Sequence, residues 1–282
     1  MLHVIIEKGK KSFIFSEILK KLKLFTETVI INFNDEHMYI QGMDASHITV
    51  FELKIYAKWF DTYVLTKENS YQYGINTNII SKILSIRDEN QHIRLVQYDE
   101  NTDKLQIDFI NKTPNEKLKT DDSDDSEITY AYYEKFFEIP LVDIDADMLE
   151  IPPTEYDATL QIETKNFKNL IDNFAQFEST TIEFTFNQED VILRTNGIET
   201  NMEVNIQHNQ MEIYSISEDT NFTNSFPLKF IHNISQFSKI SKLIQLQQSK
   251  GIPIEITYMI DDENLFRFYI APTIENYEDE GI

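Results

Sequence analysis

The sequence predicts an α+β protein made of two similar domains, each an antiparallel sheet carrying two helices. Three observations point there. Apolar and polar residues alternate with period two over most of the chain, four separate stretches have the helical period, and a helix followed by a hairpin occurs twice in the same order. Two copies of such a unit place helices on one face of antiparallel sheets.

The first helix spans about 11–25, where Phe15, Ile18, Leu19, Leu22 and Phe25 form an apolar stripe with Ser16, Lys20 and Lys23 opposite. Val29, Ile31 and Phe33 then alternate, Asn34-Asp35-Glu36 supplies turn chemistry, and Met38 and Ile40 complete a β-hairpin. A second helix covers 78–87, and alternation returns at Ile93, Leu95 and Gln97 and at Leu105, Ile107 and Phe109. Residues 114–128 contain Asp121-Asp122-Ser123-Asp124-Asp125-Ser126-Glu127 and read as an acidic insertion, since the glycine and spaced ligands of a calcium loop are missing. Residues 141–157, with Pro152 and Pro153, read as an extended linker, because adjacent prolines do not suit a central strand. The third helix, 165–177, repeats the first stripe as Phe167, Leu170, Ile171, Phe174 and Phe177, at an offset of 152. The hairpin repeats at an offset of 153, Val29 matching Ile182 and Phe33 matching Phe186. Later strands match more loosely at about 161, Ile93 with Ile254 and Leu95 with Ile256, and the fourth helix covers 229–243. The expected domains are therefore 1–140 and 158–282, joined by the linker 141–157.

Charge is segregated along this framework. The net charge is −23, yet the four helical stretches hold Lys11, Lys20, Lys21, Lys23, Lys82, Arg87, Lys165, Lys168, Lys229, Lys239 and Lys242 against Glu17 and Asp172. An acidic protein with basic helices can hold a polyanion on one surface and repel it elsewhere. Asn78, Ser81, Ser85, Asn169, Asn173, Gln176, Ser235 and Ser238 accompany the lysines, with no aromatic residues interleaved. Single-strand binders need stacking platforms and sequence readers need side chains aimed at base edges, so this set suits loose, often water-bridged contact to phosphates.

Several classes are excluded. The chain has no cysteine, hence no disulfide framework, thiolate metal site or cysteine nucleophile. Its six glycines form no phosphate-binding loop. His3, His37, His47, His92, His208 and His232 show no metal spacing, and no nucleophile elbow is present. No catalytic residue, metal or cofactor is expected. No apolar run approaches the roughly 20 residues that span a bilayer, and MLHVIIEKGKK is no signal peptide. An intracellular, soluble protein without membrane association is expected.

Several runs resemble the eukaryotic sliding clamps of the proliferating cell nuclear antigen (PCNA) family. Gly42-Met43-Asp44-Ala45-Ser46-His47-Ile48 is similar to the family's Met-Asp-Ser-Ser-His-Val segment, and Phe60-Asp61-Thr62-Tyr63 to its Phe-Asp-x-Tyr. Ser81-Lys82-Ile83-Leu84 resembles the start of its second helix. Leu149-Glu150-Ile151-Pro152 with Tyr156 resembles its connector, and Tyr269-Ile270-Ala271-Pro272-Thr273-Ile274 its C-terminal Tyr-Leu-Ala-Pro-Lys-Ile. The resemblance implies the DNA clamp fold, a pseudo-six-fold homotrimeric ring around duplex DNA, and no catalysis. The implied function is that of a DNA polymerase processivity factor, loaded by a clamp loader and recruiting polymerase and other replication and repair enzymes.

The resemblance also assigns residues. DNA binding falls to Lys11, Lys20, Lys21, Lys23, Lys82, Arg87, Lys165, Lys168, Lys239 and Lys242. Partners with a PIP-box-type motif would dock on Met43, His47, Ile48, Val50, Leu149 and Ile151, together with Pro253, Tyr269, Ile270, Ala271 and Pro272. Subunits would join through the edges Tyr132–Glu138 and Asn196–Val204. The chain departs from the family at Asn169 and Asp172, where arginines usually face DNA, and at Gln188, which stands for a lysine that carries ubiquitin in cellular members. Those departures suit a divergent member, for instance a viral one, and the expected location is the nucleus or, for a virus, a cytoplasmic replication site. Other readings are a subunit of a heterotrimeric checkpoint-type clamp, a viral processivity factor that forms no ring and, last, a metal-dependent nuclease.

Overall fold

The structure is a computed structural model and describes residues 1–66, 70–98, 103–111, 133–144, 148–177, 179–197 and 200–273. The acidic insertion expected at 114–128 lies outside the described residues, as do Tyr132, Ile274 and residues 145–147 of the expected linker. The chain divides into two compact units. One comprises Met1–Lys23, Glu27–Ile40 and Ile55–Asp145, the other Leu24–Thr26, Gln41–Lys54 and Ala146–Ile282.

The first copy of the repeat runs β1 (Leu2–Ile6), α1 (Lys10–Lys21), β2 (Thr28–Phe33), β3 (His37–Met43), β4 (Thr49–Tyr56), β5 (Thr62–Leu65), β6 (Tyr71–Asn76), α2 (Thr77–Ser85), β7 (His92–Gln97), β8 (Lys104–Ile110) and β9 (Lys135–Pro140). The second runs β10 (Ala158–Glu163), α3 (Thr164–Phe174), β11 (Thr181–Phe186), β12 (Asp190–Asn196), β13 (Asn201–Gln207), β14 (Ile213–Ile216), β15 (Phe222–Pro227), α4 (Leu228–Ser235), β16 (Leu243–Gln248), β17 (Ile254–Met259) and β18 (Leu265–Ile270). Element for element the order is the same. The sheet order repeats too: β5-β1-β7-β8-β9 in the first unit and β14-β10-β16-β17-β18 in the second, all antiparallel. In the second unit residues 49–54 of β4 add a further strand beside β18. Among the described residues β9 has no strand on its outer side, and β13 is likewise an edge, of the order β13-β12-β11-β15.

The repeat corrects one alignment. Gln97 faces Leu2 on β1 and Gln248 faces Ala158 on β10, so β7 corresponds to β16. Ile93 therefore matches Ile244, not Ile254, which belongs to the following strand. The 161 offset pairs strands of equal period that occupy different places in the sheet.

All four helices are shorter than their apolar periodicity, for one reason. Beyond α4, Gln236, Phe237, Ser238 and Ile240 donate to carbonyls three residues back, and Phe177, Ile86 and Arg87 do the same after α3 and α2. Tightening to this spacing keeps apolar residues on one side, so Phe237 and Ile240 stay buried although the α-helix has ended. The fourth helix expected to 243 thus stops at Ser235, and Lys239 and Lys242 lie on the turns that follow.

The second unit's core is aromatic. Phe237 packs 5.0 Å from Phe266 and 5.5 Å from Phe268, ring centre to ring centre, and Phe25 sits 5.3 Å from Phe268 and 5.7 Å from Phe51. Phe25 follows α1 in sequence but fills this second core. Phe25→Ala should therefore cost about 3–5 kcal/mol, read as a lower urea midpoint for the second unit. An unchanged midpoint would place Phe25 elsewhere. Among the described residues no helix is long and apolar enough to cross a membrane.

Candidate nucleic-acid and partner-docking surfaces

In the first unit α1 packs on α2. Ser12, Ser16, Thr77 and Ser81 are buried here, and small side chains allow helix backbones to come close. Ser16 and Ser81, expected on the polar face, are thus packing residues, and Ser235 in α4 is buried likewise. Asn76 caps α2, its side chain accepting from the backbone N–H groups of Asn78 and Ile79 at 3.0 and 3.1 Å.

The expected DNA-binding residues of this unit fall into three groups. Lys20 and Lys21 both pair with the buried Glu17, Lys21 at 2.9 Å, and Lys11 lies 3.3 Å from Asp61. Burial raises the Glu17 pKa, but hydrogen bonds from the two lysines outweigh it and hold the carboxyl below its ordinary value. Arg87 is a structural residue. Past the end of α2, its Nη1 donates to the carbonyls of Asp88, Glu89 and Gln91 and its Nε to Ser16 Oγ at 3.2 Å. Lys23 and Lys82 are exposed and have no ion pair among the described residues.

In the second unit α3 packs on α4. Lys168 pairs with Asp172, which also lies 3.2 Å from His232 Nε2 and 3.4 Å from Gln236 Nε2. Asp172 is thereby occupied by donors. Lys165, Lys229, Lys239 and Lys242 are exposed, as are Asn169, Asn173 and Gln176. His232 is absent from the sequence-derived set. It stands on the α4 side that meets α3, and only the distance to Asp172 reveals its part.

The second unit also bears a cavity of about 380 Å³. Val50 on β4 and Tyr269 on β18, opposite each other in register, form its strand side. Leu149 and Ile151 close it from the connecting segment, and Pro253 from the turn before β17. The connecting segment is anchored by Gln41, which accepts from Leu149 N at 2.7 Å and donates to Leu149 O at 2.9 Å. Five of the eleven expected docking residues therefore share one cavity.

The other six are placed differently. Asp44 shapes the 44–49 loop, accepting backbone N–H groups of Ser46, Ile48 and Thr49, and this turn presents His47, exposed at φ 57°. Met43, Ile48, Ala271 and Pro272 are half-buried outside the cavity lining. Ala271 N donates to Ile48 O at 3.0 Å. Ile270 is fully buried, because along β18 Phe266, Phe268 and Ile270 point inward while Arg267 and Tyr269 point outward. Strand alternation carries that assignment, so Ile270 belongs to the core. The linker expected to form the rim also supplies Glu150, Pro152, Thr154 and Tyr156 to the lining, and Ile252 is the lining residue that sequence reasoning missed. Gly42 behind this surface admits no side chain, since a Cβ there would lie 2.4 Å from the Phe51 ring. No group of three or more histidines and carboxylates among the described residues could hold a metal ion.

Comparison with known proteins decides the family. Residues 4–128 match the model of the N-terminal domain of proliferating cell nuclear antigen, and residues 150–273 match that of its C-terminal domain. The chain belongs to the PCNA family. The family's members are non-enzymatic sliding clamps, so the chain has a clamp's fold and is not an enzyme. Its PCNA relatives include that of Chaetomium thermophilum, 26% identical over 94% of this chain and 96% of the relative. The PCNA of Dictyostelium discoideum is 24% identical over 93% and 96%. A solved PCNA structure from Entamoeba histolytica shares the fold with a TM-score of 0.80 at 21% identity, covering 97% of this chain and 99% of that one. A viral origin draws no support from these relatives.

Proposed function

We propose that the chain is a DNA polymerase processivity clamp. Three copies join head to tail into a closed ring, duplex DNA passes through it, and polymerase and other replication and repair enzymes are held at the cavity of the second unit. A clamp loader opens the ring, since a closed ring cannot thread internal DNA unaided, and the site of action is the nucleus. The two domains of each copy are taken as 1–140 and 158–282, giving six similar units in the ring.

One observation carries the reading. The repeat has a position that is filled in one copy and bare in the other: β18 is covered by β4, whereas its counterpart β9 has no outer strand among the described residues. The counterpart of β4 is β13, which is itself an edge. Pairing β9 of one chain with β13 of the next repeats a joint the chain already makes, and such a heterologous contact closes a ring when the rotation allows it. Exposed lysines on each helix pair, in a chain of net charge −23, suit weak contact to phosphates inside the ring.

The test separates topology from affinity. Loaded onto a nicked circular plasmid, the protein should stay bound through gel filtration and be lost once the plasmid is cut to linear form. Equal loss from both forms would mean that no ring encloses the DNA.

A further inference from the structure

The strands β18 and β9 hold the same place in the repeat, yet each is pinned to its helix layer by different chemistry. In the second unit Phe266 on β18 is fully buried and packs 5.0 Å from Phe237, just beyond α4. Phe266 faces Tyr258 of β17 as Lys135 faces Phe109 of β8, so Lys135 is its counterpart on β9. The offset of 151 that matches Gln97 with Gln248, and Thr77 with Leu228 at the helix starts, matches Ile86 with Phe237. Phe237 is buried, whereas Ile86 is 54% exposed. What binds here is polar. Lys135 Nζ donates to the Ile86 carbonyl at 2.8 Å, pairs with Asp88 Oδ2 at 2.6 Å and lies 3.4 Å from Gln91 Oε1. Gln91, fully buried, donates to the Tyr133 carbonyl at 2.8 Å, so the turn after α2 grips the chain entering β9 twice. An aromatic pin in one unit is a charged one in the other.

We propose that Lys135 and Asp88 form a charged latch that holds the start of β9 in place for pairing with β13 of the next copy, and that salt releases it. The proposal rests on the ring read above. Among the described residues β9 has a strand on one side only, so the order of its first residues depends on the β8 ladder and on what reaches it from the helix layer. An edge that frays must be ordered again before it can pair, and apparent affinity falls with the fraction of chains in which it is ordered. Lys135 supplies that order, and its cation sits favourably at the carbonyl end of α2. The apolar pin through Phe266 is indifferent to ions. The pair of Lys135 and Asp88, with side chains 27% and 37% exposed, is screened as salt rises. The placement follows the use of each joint. β18 and β4 belong to one chain and stay together. The joint of β9 with β13 has to part whenever a loader opens the ring, and the charged pin stands there.

Sedimentation of the full chain over a range of concentrations, at about 50 and about 500 mM salt, tests this. An exposed ion pair contributes up to about fivefold, and it recurs at every joint of the ring, so Lys135→Met should raise the half-assembly concentration about tenfold at low salt. At high salt the ratio of variant to native should shrink to about twofold or less. Repulsion between chains of net charge −23 acts on both proteins alike, so this ratio isolates the latch. Asp88→Asn should reproduce the loss, and the double variant should lose no more than either single one, because both remove the same pair. At concentrations where the chains are single, Lys135→Met should speed amide exchange in β9 and leave β7 unchanged. A ratio equal at both salts, no ratio at either, losses that add in the double variant, or unaltered exchange in β9 overturns the latch and leaves the ring standing. A native chain that stays single at micromolar concentration overturns both.

Discussion

Replacing Lys82, Lys165 and Lys239 together by glutamate should lower processive synthesis on a primed circle by about tenfold or more, with the urea midpoint unchanged. The size follows from phosphate electrostatics: each neutralised phosphate contributes a counterion-release term, so log affinity changes with log salt by about 0.9 per contact. Reversing three charges in each chain of a three-chain ring changes nine positions, and the deficit should grow as salt is lowered. The choice of residues comes from their pairing. All three are exposed and have no ion pair among the described residues, so the substitutions break nothing in the fold. Lys20 is a poorer choice despite its place on α1, because it pairs with the buried Glu17. Lys20→Glu would set a second carboxylate beside that one and confound DNA contact with stability. Undiminished synthesis by a folded triple variant would remove the helices from any role in holding DNA.

The same contrast separates what the sequence makes legible from what it hides. The duplicated unit is legible because periods of 2 and 3.6 are set by backbone geometry and survive substitution, so Val29, Ile31 and Phe33 and Ile182, Phe184 and Phe186 announce the same strand. The helix ends are not, because i→i−3 turns continue the apolar spacing, and Phe237 and Ile240 look helical where the helix has stopped. Polarity misleads where helices cross closely: Ser16, Ser81 and Ser235 are small before they are polar, and burial uses the first property. Arg87 reads as a free cation, yet three hydrogen bonds commit it to the turn after α2 and a fourth to Ser16 on α1. At the cavity, Val50, Leu149, Ile151, Pro253 and Tyr269 come from three distant segments, and only family resemblance brings them together in advance. Lys135 and Asp88 carry no motif, and only the fold brings β9 to the turn after α2.

Met202→Asp should convert a three-chain particle into single chains at micromolar concentration and abolish processive synthesis, while each chain keeps its own fold. The repeat names the residue. On β18, Phe268 faces Ile256 of β17 on one side and Phe51 of β4 on the other. In the first unit Phe137 faces Ile107 of β8 in the same way, so Phe137 is the counterpart of Phe268. The short turn after β4 (Ala57–Trp59) matches the one after β13 (His208–Gln210), which makes Met202 the counterpart of Phe51. Phe51 and Phe268 are fully buried, whereas Phe137 and Met202 are each half-covered in the single chain. Pairing β9 with β13 of the next copy would bury both, and would cover the 58% exposed Phe136 and 87% exposed Tyr133 beside them. Bare strand edges flanked by exposed aromatics invite uncontrolled association unless a partner occupies them. An aspartate at Met202 places a charge in the seam of every joint of the ring, and burial of an unpaired carboxylate opposes closure at each one. Phe137→Asp attacks the same seam from the other side, at some cost to the first unit's own packing, since Phe137 lies 5.5 Å from Phe109. Sedimentation of the native chain as a monomer at micromolar concentration, or of Met202→Asp as an intact trimer, would separate β9 from β13 and leave the repeat's open position without its proposed partner.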